Sequence, residues 1–213
     1  MNILFIGAPG SGKGTQSREL INNFDFIQLS TGDLLRSAIS SKSDLGMKAR
    51  SYMDNGQLVP DNLIFDLVSD FLNLNKNKSI IFDGFPRTVE QAKKLNEIVA
   101  LNGQKIDKVF YFKINPQILI DRLTGRRTCS KCGEIFHIHT KPSLKGDKCD
   151  KCDGNLEQRK DDHADVISER LRQFENNTSP TIDFYTKAGN VVVVNGELPP
   201  ENVFNEIKKS LKI

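Results

Sequence analysis

Short apolar runs alternate with longer segments of helical hydrophobic spacing along most of the chain. The apolar runs, bounded by glycine or polar residues, predict buried strands at 2–6, 26–29, 79–82, 108–114 and 191–194. Apolar positions three and four residues apart predict helices at 13–24, 31–39, 45–53, 61–72, 88–101, 116–125, 162–185 and 201–211, the seventh interrupted at Pro180. This alternation favours an α/β fold in which a five-stranded parallel sheet is covered by helices on both faces, giving three layers.

Two stretches depart from the alternation. Residues 30–59 are predicted to be wholly helical, with Ser30 as an N-cap and Asn55-Gly56 as a stop signal. Residues 126–160 have little hydrophobic periodicity and are predicted to be irregular. We expect both stretches to be insertions at the strand-to-helix edge of the sheet, where ligands bind in folds of this kind.

Composition limits the class of protein further. The chain has 213 residues, of which 38% are hydrophobic, enough for one sizeable core. Its 30 basic and 27 acidic residues leave a net charge of +3, too small an excess to suggest that it wraps nucleic acid. It has no apolar run long enough to span a membrane, and its N-terminus lacks a basic region ahead of the apolar residues. We therefore expect a cytoplasmic protein with reduced thiols.

The first predicted strand leads into a glycine-rich loop, Gly7 to Thr15, with the sequence GAPGSGKGT. Glycines let successive backbone N–H groups converge on an anion, and the following helix N-terminus adds partial positive charge. Lys13 is placed to reach terminal phosphates, and the Thr15 hydroxyl lies near any magnesium. The usual pattern has Ser or Thr directly after the lysine, whereas Gly14 intervenes here. The alternative is a glycine-rich turn with a surface lysine.

A second acidic and basic group follows the strand at 79–82. Asp83 stands at the strand end, where it could hold a magnesium-bound water or simply be a capped or paired carboxylate. Phosphoryl transfer needs cations against the spreading charge and exclusion of water. Six arginines at predicted element ends are candidates for this role, although any one alone could be a solvated surface residue: Arg36, Arg87, Arg122, Arg126, Arg159 and Arg170.

Four cysteines form two C-x-x-C pairs separated by sixteen residues, Cys129, Cys132, Cys149 and Cys152. This spacing fits a structural zinc with four thiolates, which leaves no coordination position open for substrate. Disulfides are the alternative reading. Zinc ribbons also bind nucleic acid, so the pairs alone leave the function open.

Together these motifs resemble adenylate kinase in its long bacterial form with a zinc-bearing lid. The resemblance rests on GAPGSGKGT, STGDLLR at 30–36, DGFPRT at 83–88 with Gln91, and RKDD at 159–162, and it covers essentially the whole chain. The glycine between the lysine and the threonine, Gly14, also resembles the loop sequence of this family. The resemblance implies reversible transfer of phosphate from ATP to AMP, giving two ADP, with Mg2+ accompanying ATP and a structural Zn2+. It also implies a monomer that binds small nucleotides and neither nucleic acid nor membrane.

The resemblance also implies roles for individual residues. It places ATP on Gly10, Ser11, Gly12, Lys13, Gly14, Thr15, Arg122, Arg126, Ile135, Phe136 and Leu198. It places AMP on Thr31, Arg36, Gln57, Leu58, Val59, Gly84, Phe85, Pro86, Arg87, Gln91, Arg159 and Arg170. The transfer itself falls to Lys13, Arg87, Arg126, Arg159 and Arg170, with Asp83 reaching magnesium through water.

The same resemblance divides the chain into a core (1–29, 60–125 and 164–213), an AMP-binding insertion (30–59) and a zinc-containing lid (126–163). Two flaps over the substrates would exclude water, and we expect the lid to move as one body about Gly125 and Asp162. A kinase for UMP or CMP is the nearest alternative, because only Thr31 and Gln91 favour adenine. A nucleic-acid-binding zinc protein with an ATP-dependent switch is an alternative from another class, which the absence of Trp and the few Tyr disfavour.

Overall fold

The computed structural model describes all residues from 1 to 213. The strands are β1 (Asn2–Gly7), β2 (Phe26–Ser30), β3 (Ser79–Asp83), β4 (Lys108–Lys113), β5 (Arg126–Cys129), β6 (Ile135–His137), β7 (Leu156–Glu157) and β8 (Val191–Asn195). The helices are α1 (Lys13–Asn23), α2 (Thr31–Ser40), α3 (Asp44–Asp54), α4 (Asp61–Leu74), α5 (Val89–Leu101), α6 (Pro116–Thr124), α7 (Ala164–Gln173), α8 (Pro180–Lys187) and α9 (Pro200–Leu211). None of these helices is long and apolar enough to cross a membrane.

The five predicted strands form one parallel sheet in the order β2-β3-β1-β4-β8. Strand β1 lies at its centre and all six of its residues are buried, which explains its unbroken apolar sequence. Successive β1 side chains point to opposite faces, so Leu4 and Ile6 join one core cluster while Ile3 and Phe5 join another. The predicted α/β fold with a five-stranded parallel sheet and helices on both faces is confirmed.

Different helices pack against the two core clusters, one on each face of the sheet. Helices α2, α3, α4, α5 and α8 pack on the Leu4 face, whereas α1 and α9 pack on the Ile3 face. Ser30 caps α2 by accepting from the Asp33 backbone N–H at 3.2 Å, and Gly56 adopts a φ of +69° after α3, so both signals predicted from sequence are confirmed.

The prediction that residues 126–160 are irregular is wrong. This segment contains a three-stranded antiparallel sheet in the order β6-β5-β7, packed around Cys129, Phe136 and Cys149. Its strands have only four, three and two residues, too few to produce a readable alternation of apolar and polar positions.

The predicted helix at 162–185 is interrupted next to Pro180, as expected, but it begins later than predicted and its interruption is wider. A 3-10 turn (Lys160–Asp162) precedes α7, and a π-helical turn (Phe174–Thr178) joins α7 to α8 just before Pro180. Proline has no N–H and its ring crowds the preceding turn, so the wider turn before Pro180 leaves room for the ring at the start of α8.

Candidate functional site

A single cavity of about 780 Å3 opens at the carboxyl ends of the sheet strands. Such edges are the usual ligand sites of parallel α/β folds. Every nucleotide-site residue predicted from the sequence lines it, together with Asp83. They are Gly10, Ser11, Gly12, Lys13, Gly14, Thr15, Thr31, Arg36, Gln57, Leu58, Val59, Gly84, Phe85, Pro86, Arg87, Gln91, Arg122, Arg126, Ile135, Phe136, Arg159, Arg170 and Leu198. The structure thus brings the predicted donor and acceptor residues into one space.

The glycine-rich loop runs from the end of β1 to the start of α1. Gly10 and Gly12 have φ values of +83° and +99°, a region that side-chain-bearing residues rarely adopt. Gly12 is the N-cap of α1 and supplies no side chain to the helix start, which therefore stays open to an anion. The loop thus has the geometry of a phosphate cradle.

Lys13 bends back over this loop. Its ammonium group donates hydrogen bonds to the Gly7 carbonyl at 2.7 Å, the Ala8 carbonyl at 2.9 Å and the Ser11 hydroxyl at 3.3 Å. Burial lowers the pKa of Lys13 to about 8, and the nearby Asp83 carboxylate opposes that shift. The ammonium group of Lys13 therefore lies within the loop, where three loop oxygens and the nearby Asp83 carboxylate offset its charge.

Asp83 ends β3 beside the loop. Gln28 of β2 donates to its Oδ2 at 2.9 Å, and burial raises the pKa of Asp83 while Lys13 opposes the shift. Lys13, at the start of α1, and Asp83, at the end of β3, are thus a half-buried, oppositely charged pair. The sequence does not predict this contact between Gln28 and Asp83, because the two residues are 55 positions apart along the chain.

A buried carboxylate joins two of the predicted arginines. Asp162, which is 0% exposed, accepts from Arg126 Nε at 2.8 Å and Nη2 at 2.6 Å, and from Arg170 Nη1 at 2.7 Å. Arg170 also bonds the Asp161 carbonyl at 2.7 Å. Asp161 and Asp162 belong to the RKDD segment noted in the sequence, but the sequence did not predict that they bind arginines. The bidentate pairing fixes the direction of the Arg126 fork.

Several arginines of the cavity lie close enough together to lower one another's pKa. Burial, then the nearby Arg170, lowers the pKa of Arg87 to about 10, and burial with Arg36 lowers the pKa of Arg159 to about 9. Such mutual repulsion is relieved when an anion binds between the guanidinium groups. The expectation that all six arginines stand at element ends is wrong for Arg36, which lies in the middle of α2 and lines the cavity from there, whereas Arg122 and Arg170 lie in the last turns of α6 and α7.

The residues predicted to bind AMP lie mainly on α2 and on the connection between β3 and α5. The Thr31 hydroxyl donates to the Gly84 carbonyl at 2.9 Å, and Arg87 Nε donates to the same carbonyl at 2.8 Å. Arg36 pairs with Asp33 at 2.5 Å. Burial alone would raise the pKa of Asp33, but Arg36 lowers it to about 2, so this carboxylate is ionised.

Comparison with known proteins agrees with this geometry. The sequence model described as adenylate kinase matches residues 5–190. The chain belongs to the adenylate kinase family. It is 44% identical to an adenylate kinase of Mycoplasma mycoides subsp. mycoides over the whole of both chains. It is also 41% identical to one of Archaeoglobus fulgidus, covering 100% of this chain and 98% of the relative.

An adenylate kinase of Bacillus cytotoxicus is 40% identical, covering 97% of this chain and 96% of the relative. These relatives span essentially the full chain, so the family assignment includes the cysteine-bearing segment and both ends. The predicted class of enzyme, an adenylate kinase with a nucleotide-binding phosphotransferase fold, is confirmed.

In this member of the family the turn between β5 and β6 contacts α1, the helix that follows the glycine-rich loop. Arg18 of α1 donates to the Gly133 carbonyl and pairs with Glu134 at 3.5 Å. Glu134 also accepts from Lys141 at 2.7 Å and Lys151 at 2.8 Å. Burial alone would raise the pKa of Glu134, but hydrogen bonds from the two lysines lower it to about 2. Glu134 thus joins both cysteine turns to α1.

The four cysteines converge on one point in the small sheet. Their sulfur atoms all lie within 4.8 Å of one another, and the Cys129–Cys152 and Cys132–Cys149 separations are 3.4 and 3.6 Å. These distances exceed a disulfide bond of about 2.05 Å. The Cys132 and Lys131 backbone N–H groups point at the Cys129 sulfur, and they lower the pKa of Cys129 to about 6. The donor set fits a zinc ion.

Proposed function

We propose that this chain transfers the γ-phosphoryl group of ATP reversibly to AMP, giving two ADP. One observation carries the proposal. One cavity is lined both by the glycine-rich loop and by a second region, the residues predicted to bind AMP, together with all six candidate arginines. A motor or switch protein needs the first region only. Membership of the adenylate kinase family supports the same reaction.

On the donor side, we assign the ATP phosphates to the loop from Gly10 to Thr15. Lys13 would exchange its bonds to the Gly7 and Ala8 carbonyls for phosphate oxygens, keeping its charge beside the transferring group. Arg122, whose Nη1 donates to the Gly196 carbonyl at 2.9 Å, would flank the nucleoside with Leu198. Ile135 and the buried Phe136 would cover the base from the small sheet.

In the centre, Arg87, Arg126, Arg159 and Arg170 would surround the transferring group. Phosphoryl transfer spreads negative charge over three equatorial oxygens, and fixed cations stabilise that charge without reorganising. Asp162 supports this role because it holds Arg126 and Arg170 in a defined relative position. The arginines therefore need little movement before transfer.

On the acceptor side, AMP would lie between Thr31, Arg36, the 57–59 segment, the 84–87 segment and Gln91. Arg36 and Arg87 would take its phosphate. Gln91 and Thr31 would meet its base, which favours AMP over UMP or CMP.

Magnesium fits beside the loop, where the Thr15 hydroxyl and the Asp83 carboxylate supply the oxygen chemistry that the ion prefers. When bound, Mg2+ neutralises charge on the ATP phosphates. Asp83 would contact it through water, with Gln28 holding one carboxylate oxygen.

Zinc bound by the four cysteines would rigidify residues 126–163 as a lid, beside an AMP-binding insertion at 30–59 and a core made of the rest. The lid residues have a small core of their own, Cys129, Phe136 and Cys149, which makes a metal the main stabilising element. We also propose a cytoplasmic monomer that acts on free nucleotides, without nucleic acid or membrane.

The test is a coupled assay with ATP and each of AMP, UMP and CMP. We expect turnover with AMP to exceed turnover with either pyrimidine nucleotide by at least about tenfold. Faster turnover of UMP or CMP would contradict the assignment of AMP. ATP hydrolysis that proceeds without any monophosphate would contradict transfer altogether.

A further inference from the structure

The amide of Gln91 is held at both ends by groups of fixed chemistry. Its Oε1 accepts from the Arg87 backbone N–H at 2.7 Å, and its Nε2 donates to Asp61 Oδ1 at 2.6 Å. A backbone N–H only donates, and an ionised carboxylate only accepts. The two ends of the amide are therefore distinguished by their partners, and only one of the two orientations satisfies both.

Gln91 and Asp61 both lie in the first turns of helices that belong to the main core. Gln91 is 3% exposed and lies in the first turn of α5, where its own N–H bonds the capping Thr88 hydroxyl at 3.1 Å. Asp61 is the first residue of α4, a position where the helix dipole favours a carboxylate. Helices α4 and α5 pack together in the main core cluster. The Asp61–Gln91 bond thus joins two rigid elements.

Turning the amide over would be costly. The Gln91 oxygen would then face the Asp61 carboxylate, and its NH2 group would face the Arg87 N–H. Both contacts would pair like with like at a buried residue, and such unsatisfied groups carry the full desolvation penalty. The amide keeps one N–H and one oxygen lone pair uncommitted, and Gln91 lines the cavity.

The edge of a purine tells the two orientations apart. Adenine offers the ring acceptor N1 beside a 6-amino donor, whereas hypoxanthine offers an N1–H donor beside a 6-oxo acceptor. A freely turning amide pairs with either base, since it can present its donor and acceptor in either order. A fixed amide pairs with one of them when the ribose and phosphate fix the base.

We propose that Asp61 is a positioning residue for base specificity, making the acceptor site select 6-aminopurine over 6-oxopurine nucleotides by fixing the amide of Gln91. This inference rests on the proposed function, because it concerns the base of the acceptor. Asp61 acts through Gln91 and does not itself touch the nucleotide.

The test compares kcat/KM for AMP and for IMP, which is nearly identical to AMP in shape, at saturating ATP. Asp61→Ala removes the acceptor, and we expect the AMP:IMP ratio to fall by about tenfold. Asp61→Asn keeps the size and still accepts from Gln91, but its amide also donates once turned, so the ratio is expected to fall severalfold. Asp66→Ala, an exposed acid on the same helix, is the matched control and should keep the wild-type ratio.

A purely structural role for Asp61 would lower kcat/KM for AMP and IMP equally. An unchanged ratio in both Asp61 variants, with melting temperatures that show folded protein, would overturn the inference. The double variant Asp61→Ala/Gln91→Leu provides a further check. It should have the same ratio as Gln91→Leu alone, and an additional fall would show that Asp61 acts by another route.

Failure of the proposed function looks different. If the wild-type protein does not consume ATP with AMP, or prefers a pyrimidine monophosphate, the proposed function itself fails. If Gln91→Leu loses the AMP:IMP preference while both Asp61 variants retain it, Gln91 reads the base without Asp61 and only the inference fails. A preference that survives Gln91→Leu also overturns the inference.

Discussion

At the phosphate loop, the ammonium of Lys13 bonds the oxygens of its own loop. Three acceptors within 3.3 Å hold it there. A bound triphosphate must displace those oxygens from the lysine, and it supplies more negative charge than two carbonyls and a hydroxyl. The affinity for ATP therefore depends on whether Lys13 is protonated in the free protein.

ATP binding should weaken in alkaline solution. Because the folded-state pKa of Lys13 is lowered to about 8, its charge is fully present below pH 7 and is lost as the pH rises through 8. We expect the Kd for ATP to rise by about tenfold between pH 7 and 9.5 at constant magnesium, as measured by calorimetry. In Lys13→Met, binding should be weak and nearly flat over the same range. A wild-type Kd that does not change would contradict this assignment.

At the scale of elements, one contact joins α1, the helix after the glycine-rich loop, to the small sheet of the proposed lid. Arg18 reaches from α1 to both Gly133 and Glu134, across 115 and 116 positions of sequence. Its side chain is 30% exposed, so this pair contributes little to overall stability. Its effect should fall on the equilibrium between open and closed lid.

Removing this contact should therefore affect ATP more than AMP. For Arg18→Ala we expect the KM for ATP to rise by about threefold, with the KM for AMP and the melting temperature nearly unchanged. Initial-rate kinetics with each substrate varied in turn checks this. Lys93→Ala, which removes an exposed ion pair on α5, is the control and should change neither constant. Equal rises in both KM values would contradict a lid-specific role.

The sequence predicts elements well where the signal is local. The buried strands of the parallel sheet carry uninterrupted apolar runs, and caps such as Ser30 need only neighbouring residues. The small sheet within residues 126–157 depends on packing around cysteines and on strand pairings across loops, and neither leaves a pattern of apolar and polar positions in the sequence.

The candidate site divides in the same way. Residues in recognisable motifs, such as Lys13 and Asp83, were found from sequence and line the cavity. The roles of the residues that orient such groups, Gln28, Asp61 and Asp162, were not predicted, because those roles depend on the packing of distant elements. A motif specifies which groups meet the substrate, while tertiary structure specifies what orients them.

At the scale of the whole molecule, the lid should be its least stable part without metal. We expect a strong chelator, or Cys129→Ser, to lower the melting temperature by ~5 °C or more, while activity at low temperature persists. Differential scanning calorimetry with zinc readdition measures this, and the exposed Ser130→Ala is the control. Lost activity in a fully folded, metal-free protein would contradict a structural role for the metal.

The cavity takes its lining from Phe5 near one end of the chain to Val203 near the other. A contiguous fragment must therefore span at least residues 5–203 to contain the whole lining. If the chain were divided at Leu144, which is 94% exposed in the lid, each half would keep part of the cavity wall and neither would turn over nucleotide alone. Phosphotransferase activity regained on mixing the halves would report their reassembly, which makes this protein a candidate for a split-enzyme sensor of proximity.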